Sequence, residues 1–171
     1  MFGGKDAPTP VAVTLPHDAT IHQRRRPDAL SGTSKGFFPD GKYHYLKTFH
    51  VPSEWADKCV KLEFEGAYMN ACVFLNGDFV GQCPNGYVDF TLDCNDQLLY
   101  GEENEIKVTL YSDEDSRWYA GAGLYRNVKL YVAEQLHIAK DGLRLTTTSI
   151  DRGVAAIAAD VVVENKGFGA R

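Results

Sequence analysis

What this 171-residue chain lacks narrows its reading quickly. No apolar run approaches the roughly 18 residues that a membrane-spanning helix needs. Met1-Phe2-Gly3-Gly4-Lys5 has no apolar stretch of the signal-peptide kind. A leader removed earlier is compatible with that, so localisation stays open between cytoplasm and periplasm. Excess positive charge is also missing. The formal charge is −5, and phosphate backbones need a cationic field. The one basic run, Arg24-Arg25-Arg26, reads as a solvated surface. Neither a nucleic acid nor a membrane is expected as a partner.

Several chemical signatures are absent as well. The four cysteines, Cys59, Cys72, Cys83 and Cys94, are spaced by 13, 11 and 11 residues, unlike the short C-x-x-C steps of zinc sites. They read as strand filler, with a disulfide as the second choice. Cys72 and Cys83 fall on a predicted hairpin in which Cys72 would face Gly81 and Cys83 would face Asn70, a diagonal relationship at the upper limit of bridging. There is no G-x-S-x-G nucleophile elbow, no phosphate loop and no dinucleotide fingerprint. No cofactor and no metal are expected. Long helical periodicity is missing too.

What is present is aromatic and alternating. Nine Phe, nine Tyr and two Trp favour strands. Pro10–Leu15 reads as a first short strand ended by Pro16, and residues 21–41 as a long loop. Tyr43–Val51 alternates: Tyr43, Tyr45, Lys47, Phe49 and Val51 share one face, and His44, Leu46, Thr48 and His50 the other. The two histidines have no third ligand nearby and read as exposed or hydrogen-bonded strand residues. Pro52–Trp55 suggests a helical turn capped by Ser53.

Val60–Glu65 predicts a strand with Val60, Leu62 and Phe64 inward and Lys61, Glu63 and Glu65 toward solvent. Asn70–Leu75, Asn76-Gly77 and Asp78–Cys83 form the strongest hairpin signal, since Asn-Gly supplies both φ > 0 positions of a type I′ turn. Its apolar residues on both faces suggest a central position. Strands follow at 87–92, 105–111 and 124–132, giving about eight. Eight antiparallel strands with long connections fit an all-β jelly roll of two packed sheets. A boundary falls near Ala133-Glu134, after which 136–138, 143–149 and 154–164 begin a new set of strands.

Three motifs, in order, carry a resemblance: Leu15-Pro16-His17-Asp18, Tyr68-Met69-Asn70, and the run Ser116-Arg117-Trp118-Tyr119-Ala120-Gly121-Ala122-Gly123-Leu124-Tyr125-Arg126. Over about residues 10–135 the chain resembles the N-terminal sugar-binding domain of family 2 glycoside hydrolases, the β-galactosidase, β-glucuronidase and β-mannosidase group. Lys42-Tyr43-His44-Tyr45 departs from the Trp-Tyr-Arg type of strand start frequent in relatives, so no binding residue is carried over from the loop before it.

The resemblance implies a jelly-roll, galactose-binding-domain-like β-sandwich over residues 1–135, followed over 136–171 by the first strands of a truncated immunoglobulin-like sandwich. Such a sandwich needs about 100 residues, so its apolar strands would pair with the jelly roll or with a second copy of the chain, making a homo-oligomer. The resemblance also implies a non-catalytic role. The catalytic carboxylates of a retaining glycosidase, about 5–5.5 Å apart, would lie in a barrel domain of the same parent chain that is missing here. The segment Asp115-Ser116-Arg117-Trp118 would line one side of the sugar site, with Asp115, Arg117 and Trp118 as the substrate-binding residues. Carboxylate and guanidinium make directional bonds to hydroxyls, and an indole face stacks on a sugar ring. Arg126 is expected to pair with an acid at the domain junction. Asp113, Glu114 and Asp115 are adjacent, which makes a catalytic pair among them awkward. Two other roles share the fold: an autonomous carbohydrate-binding module with Trp55, Trp118 and Tyr119 as its platform, and an interaction sandwich that binds no sugar.

Overall fold

Strand β2 (Cys59–Phe64) sets the pattern for the interior. Val60, Leu62 and Phe64 are at most 3% exposed, as a period of two on a half-buried strand requires. The structure is a computed structural model, and it describes residues 9–112 and 120–167. The remaining strands of the body are β1 (Gly41–His50), β3 (Ala71–Leu75), β4 (Asp78–Cys83), β5 (Phe90–Asp93), β6 (Glu103–Ser112) and β7 (Val128–Ala133). They form two antiparallel sheets, ordered β1-β6-β3-β4 and β5-β2-β7. The inward residues of both sheets make one core: Val60, Leu62 and Phe64 meet Val73, Leu75, Ile106, Val108 and Leu110. Phe64 and Phe90 stack with ring centroids 4.7 Å apart. A Cβ on Gly81 would strike Leu92 of the facing sheet, so that glycine permits the close approach. The fold is an all-β, galactose-binding-like β-sandwich.

Several expectations are corrected. Residues 10–15 form no strand. The alternation there is real, but no partner strand takes up its backbone groups. Asn76 and Gly77 do adopt positive φ, 53° and 92°, as the hairpin turn demands. The hairpin carries a bulge, however. Val73 pairs Gly81 while Phe74 pairs Phe79, leaving Val80 as the extra residue. The shift sets Cys72 opposite Gln82 and Cys83 opposite Ala71. All four cysteines are free. Strand β4 is an edge rather than central. Ser53 makes no capping hydrogen bond and sits inside a short 3-10 turn, Ser53–Trp55. The histidine face of β1 is hydrogen-bonded and solvated: His44 Nδ1 meets Thr109 Oγ1 at 3.1 Å, and His50 lies 3.7 Å from Glu103.

The tail forms a long hairpin of β8 (Leu136–Asp151) and β9 (Val154–Asn165). These strands pair with each other and with no strand of the two sheets, contrary to one of the two pairings expected for them. Side chains tie the hairpin to β2. Lys61 Nζ lies 3.1 Å from Glu164, and Lys140 Nζ lies 2.9 Å from Glu63. Glu63, expected in solvent, is buried for this reason. Beyond that contact the hairpin is bare: Leu143, Leu145, Ile150, Val154, Ile157 and Val162 are all more than half exposed.

Candidate functional site

Segment 113–119, which holds Asp115, Arg117 and Trp118, lies outside the described residues. The backbone on either side of it is described, and both flanks are anchored to the loop between residues 15 and 40.

On the incoming side, β6 ends at Ser112, which is 1% exposed. Lys35 reaches it from the short helical turn Gly32–Lys35. The Lys35 ammonium, fully buried, donates to the Ser112 hydroxyl and, at 3.5 Å, to its carbonyl. It also lies 3.2 Å from Asp40 Oδ1. Asp40 accepts two further bonds from Ser31, from its hydroxyl at 2.6 Å and its amide at 3.0 Å. Burial pushes the Asp40 carboxyl up, but the bonds from Ser31 and Lys35 outweigh it and hold the group below its ordinary value.

On the outgoing side, Asp18 gathers the chain. Its Oδ1 accepts from Thr20 N at 2.8 Å, Thr20 Oγ1 at 2.7 Å, Ile21 N at 3.3 Å and Ala122 N at 3.2 Å. Burial again raises this carboxyl, and these bonds more than reverse the effect. Backbone bonds continue the anchorage: Ala19 N donates to Ala122 O at 2.5 Å and His17 N to Leu124 O at 2.8 Å. Tyr68 and Gly123 exchange both of their backbone bonds, at 2.9 and 3.0 Å. A Cβ on Gly121 would collide with the Asp18 carboxylate, and one on Gly123 with His17 O and Tyr45 Oη. Both glycines are therefore packing requirements. His17 Nδ1 and Tyr45 Oη share a 2.7 Å hydrogen bond. Burial pushes the Tyr45 phenol up to about 12, so it stays neutral there.

The Leu15-Pro16-His17-Asp18 motif is thus structural: it holds the chain at Ala122–Leu124. Tyr68-Met69-Asn70 is too: the Met69 carbonyl accepts from Tyr111 N at 2.9 Å, and Asn70 N donates to Pro84 O at 3.2 Å. Trp55 packs against the core, which removes it from an exposed aromatic platform. Arg126 stacks over Tyr125, 5.9 Å from the ring centroid. Among the described residues no acid pairs with it. Lys35 and Asp40 were not singled out from the sequence. A lysine in a Gly-rich loop reads as solvated, and only an acid five residues later hints otherwise.

A sandwich whose long loops gather one polar edge defines a galactose-binding-like domain, and the comparisons place it. Residues 9–140 match the glycosyl hydrolase 2 galactose-binding domain-like family, and the chain belongs to that family. It is 39% identical over 145 residues to β-galactosidase BoGH2A of Bacteroides ovatus, covering 84% of this chain and 17% of that one. It is 30% identical over 159 residues to a putative β-glucuronidase of Formosa agariphila, covering 91% of this chain and 15% of that one. Among solved structures, a β-glycosidase from Bacteroides vulgatus superposes with a TM-score of 0.83 at 33% identity, over 91% of this chain and 20% of that one. The chain thus spans about a sixth of the length of these curated relatives and corresponds to their N-terminal portion.

Proposed function

We propose that the chain is the non-catalytic sugar-site wall and scaffold of a family 2 glycosidase, most similar in kind to the β-galactosidases. In this reading Asp115 and Arg117 bond sugar hydroxyls and Trp118 stacks on a sugar ring, while the catalytic carboxylates are supplied by a barrel domain of the parent chain, with retention. Residues 1–135 form the sugar-binding unit, and 136–171 begin an immunoglobulin-like unit whose missing strands, or those of a second copy, cover the bare faces of β8 and β9.

One observation carries this reading most strongly. The backbone entering 113–119 at Ser112 is tied to the buried Lys35, and the backbone leaving it at Ala120–Leu124 is tied to the half-buried Asp18. A recognition segment needs such fixed ends, because positioning a contact to within half an ångström depends on the supporting shell. Family membership and the shares of the relatives that the chain covers support the larger parent.

The test is kinetic. In the full-length enzyme carrying this domain, Asp115→Ala and Trp118→Ala should raise KM for a β-galactoside at least tenfold. Unchanged kinetics in both variants would remove the wall reading. Calorimetric titration of the 171-residue chain with galactose, glucuronate and mannose should give no heat. Binding tighter than about 1 mM, roughly 4 kcal/mol, would favour an autonomous module instead.

A further inference from the structure

The chain contains two Asn-Gly steps, Asn76-Gly77 and Asn85-Gly86, and the fold treats them in opposite ways. An asparagine followed by glycine is open to attack by its own backbone, because glycine has no Cβ to shield the amide nitrogen that follows.

At the hairpin turn the Asn76 carboxamide is tied to neighbouring segments rather than to its own peptide. Its Nδ2 donates to Gln97 O and to Asn104 Oδ1, both at 2.7 Å, and its Oδ1 accepts from Glu105 N at 2.9 Å. Asn104 is itself 1% exposed. The nitrogen that ring closure must expel is therefore held by two acceptors.

Asn85 stands differently. It is exposed, and its Oδ1 accepts from the Tyr87 amide at 2.7 Å. This Asx turn folds the carboxamide over the peptide bond to Gly86. Among the described residues its Nδ2 makes no hydrogen bond, and neither does the Gly86 amide. Nucleophile and leaving group are thus both free. The Tyr87 N–H is aimed at the oxygen that gains negative charge when a nitrogen adds to Cγ, and a donor fixed there before reaction lowers the barrier. The far side of the bend is anchored: Gly86 O accepts from Tyr125 Oη at 2.7 Å, and a Cβ on Gly86 would strike the Tyr68 ring.

We infer that Asn85-Gly86 is a site of spontaneous deamidation and isoaspartate formation in the folded chain, and that Asn76-Gly77 is protected from it. The Gly86 amide nitrogen gives its proton to solvent base and bonds to Asn85 Cγ. The bond from Cγ to Nδ2 breaks, and Nδ2 leaves as ammonia. Water then opens the cyclic imide. Cleavage between Cγ and nitrogen gives aspartate. Cleavage between the main-chain carbonyl carbon and nitrogen gives isoaspartate, whose backbone runs through Cβ and Cγ. Both products add a negative charge, and the second lengthens the main chain by one carbon beside Gly86. Gly86 has no room to shift against Tyr68, and Tyr68 exchanges backbone bonds with Gly123. Isoaspartate at this position should therefore lower the thermal midpoint. This inference is independent of the sugar-wall reading.

The experiment follows the 171-residue chain through incubation in warm, mildly alkaline buffer, with peptide mapping by mass spectrometry and enzymatic methylation of isoaspartate. In the folded chain the peptide holding Asn85 should convert roughly tenfold or more faster than the one holding Asn76. In urea the two should convert at similar rates. Equal rates in the folded chain, or faster conversion at Asn76, would overturn the inference. Asn85→Gln, at an exposed position, should remove most of the acidic species that isoelectric focusing detects in the aged chain, and their persistence would equally overturn it. Asn85→Asp supplies the charge without the longer backbone, and should keep the thermal midpoint that the isoaspartate form loses. An isoaspartate form as stable as Asn85→Asp would overturn the coupling through Gly86 and Tyr68.

Discussion

The Lys35 ammonium lies 3.2 Å from Asp40 Oδ1 with no solvent exposure. The pair joins a short helical turn to the start of β1, and the same ammonium reaches Ser112 at the end of β6, so a charge is held in the interior at the point where the proposed recognition segment begins. Buried pairs are costly to break, because the partner left behind keeps its desolvation penalty. Lys35→Met should therefore destabilise the chain by about 3–5 kcal/mol, read by urea denaturation. Restoring apolar balance with Lys35→Met plus Asp40→Leu should recover part of that loss. No recovery in the double variant would mean that the bonds to Ser112 and from Ser31 to Asp40 outweigh the pair itself.

Acid should loosen the same edge. Asp18 and Asp40 are both held below the ordinary value of 3.8 in the folded chain. A depressed carboxyl contributes stability that is fully present above its unfolded pKa and is lost as pH falls through the folded one. The thermal midpoint should be flat from neutrality to about pH 5 and fall below pH 4. Asp18→Asn should lower the midpoint at neutral pH and flatten the acid limb. An acid limb unchanged by Asp18→Asn would show that Asp18 is not among the groups responsible.

Much of the sandwich can be read from the sequence, because a period of two is imposed locally. Val60, Leu62 and Phe64 point inward on the alternation alone, and Asn76-Gly77 announces its turn because few other residues accept positive φ. Features that depend on distant partners are less accessible. Residues 10–15 alternate like a strand but find no neighbour. Glu63 reads as solvent-facing because its cover, Lys140, arrives from a strand 77 positions later. The bulge at Val80 shifts the Cys72 register by one residue, and no local pattern announces it. The candidate site divides the same way. The Asp18 motif is visible as a string, whereas the Lys35–Asp40–Ser112 network is three unremarkable residues until the fold assembles them.

Gly123 and Gly77 separate packing from backbone freedom. Both adopt positive φ, 150° and 92°. An added Cβ at Gly77 meets open space, while at Gly123 it strikes a backbone carbonyl and the Tyr45 hydroxyl. Gly77→Ala should cost about 1 kcal/mol from conformation alone. Gly123→Ala should cost clearly more, because His17 cannot move without breaking its bond to Leu124. Equal losses in chemical denaturation would show that the 15–18 loop yields freely, and would remove the argument that the outgoing flank of 113–119 is rigid.

The β8–β9 hairpin offers the last test. Its strands carry apolar residues toward solvent on both faces, and long bare strands with open edges recruit other chains. The full chain should therefore self-associate with concentration in sedimentation velocity, and a version ending at residue 135 should sediment as a monomer. Removing the hairpin also uncovers Glu63 and Lys61, which water can solvate, so the two-sheet core from Val60 to Leu110 should keep its cooperative unfolding. Lys140→Met in the full chain is the sharper case. There Glu63 stays beneath the hairpin but loses its partner, a loss of about 1–3 kcal/mol, and the variant should be less stable than the truncated chain is relative to its own core. If the truncated chain instead fails to fold, the hairpin is an integral third layer of the sandwich rather than the opening of a separate unit.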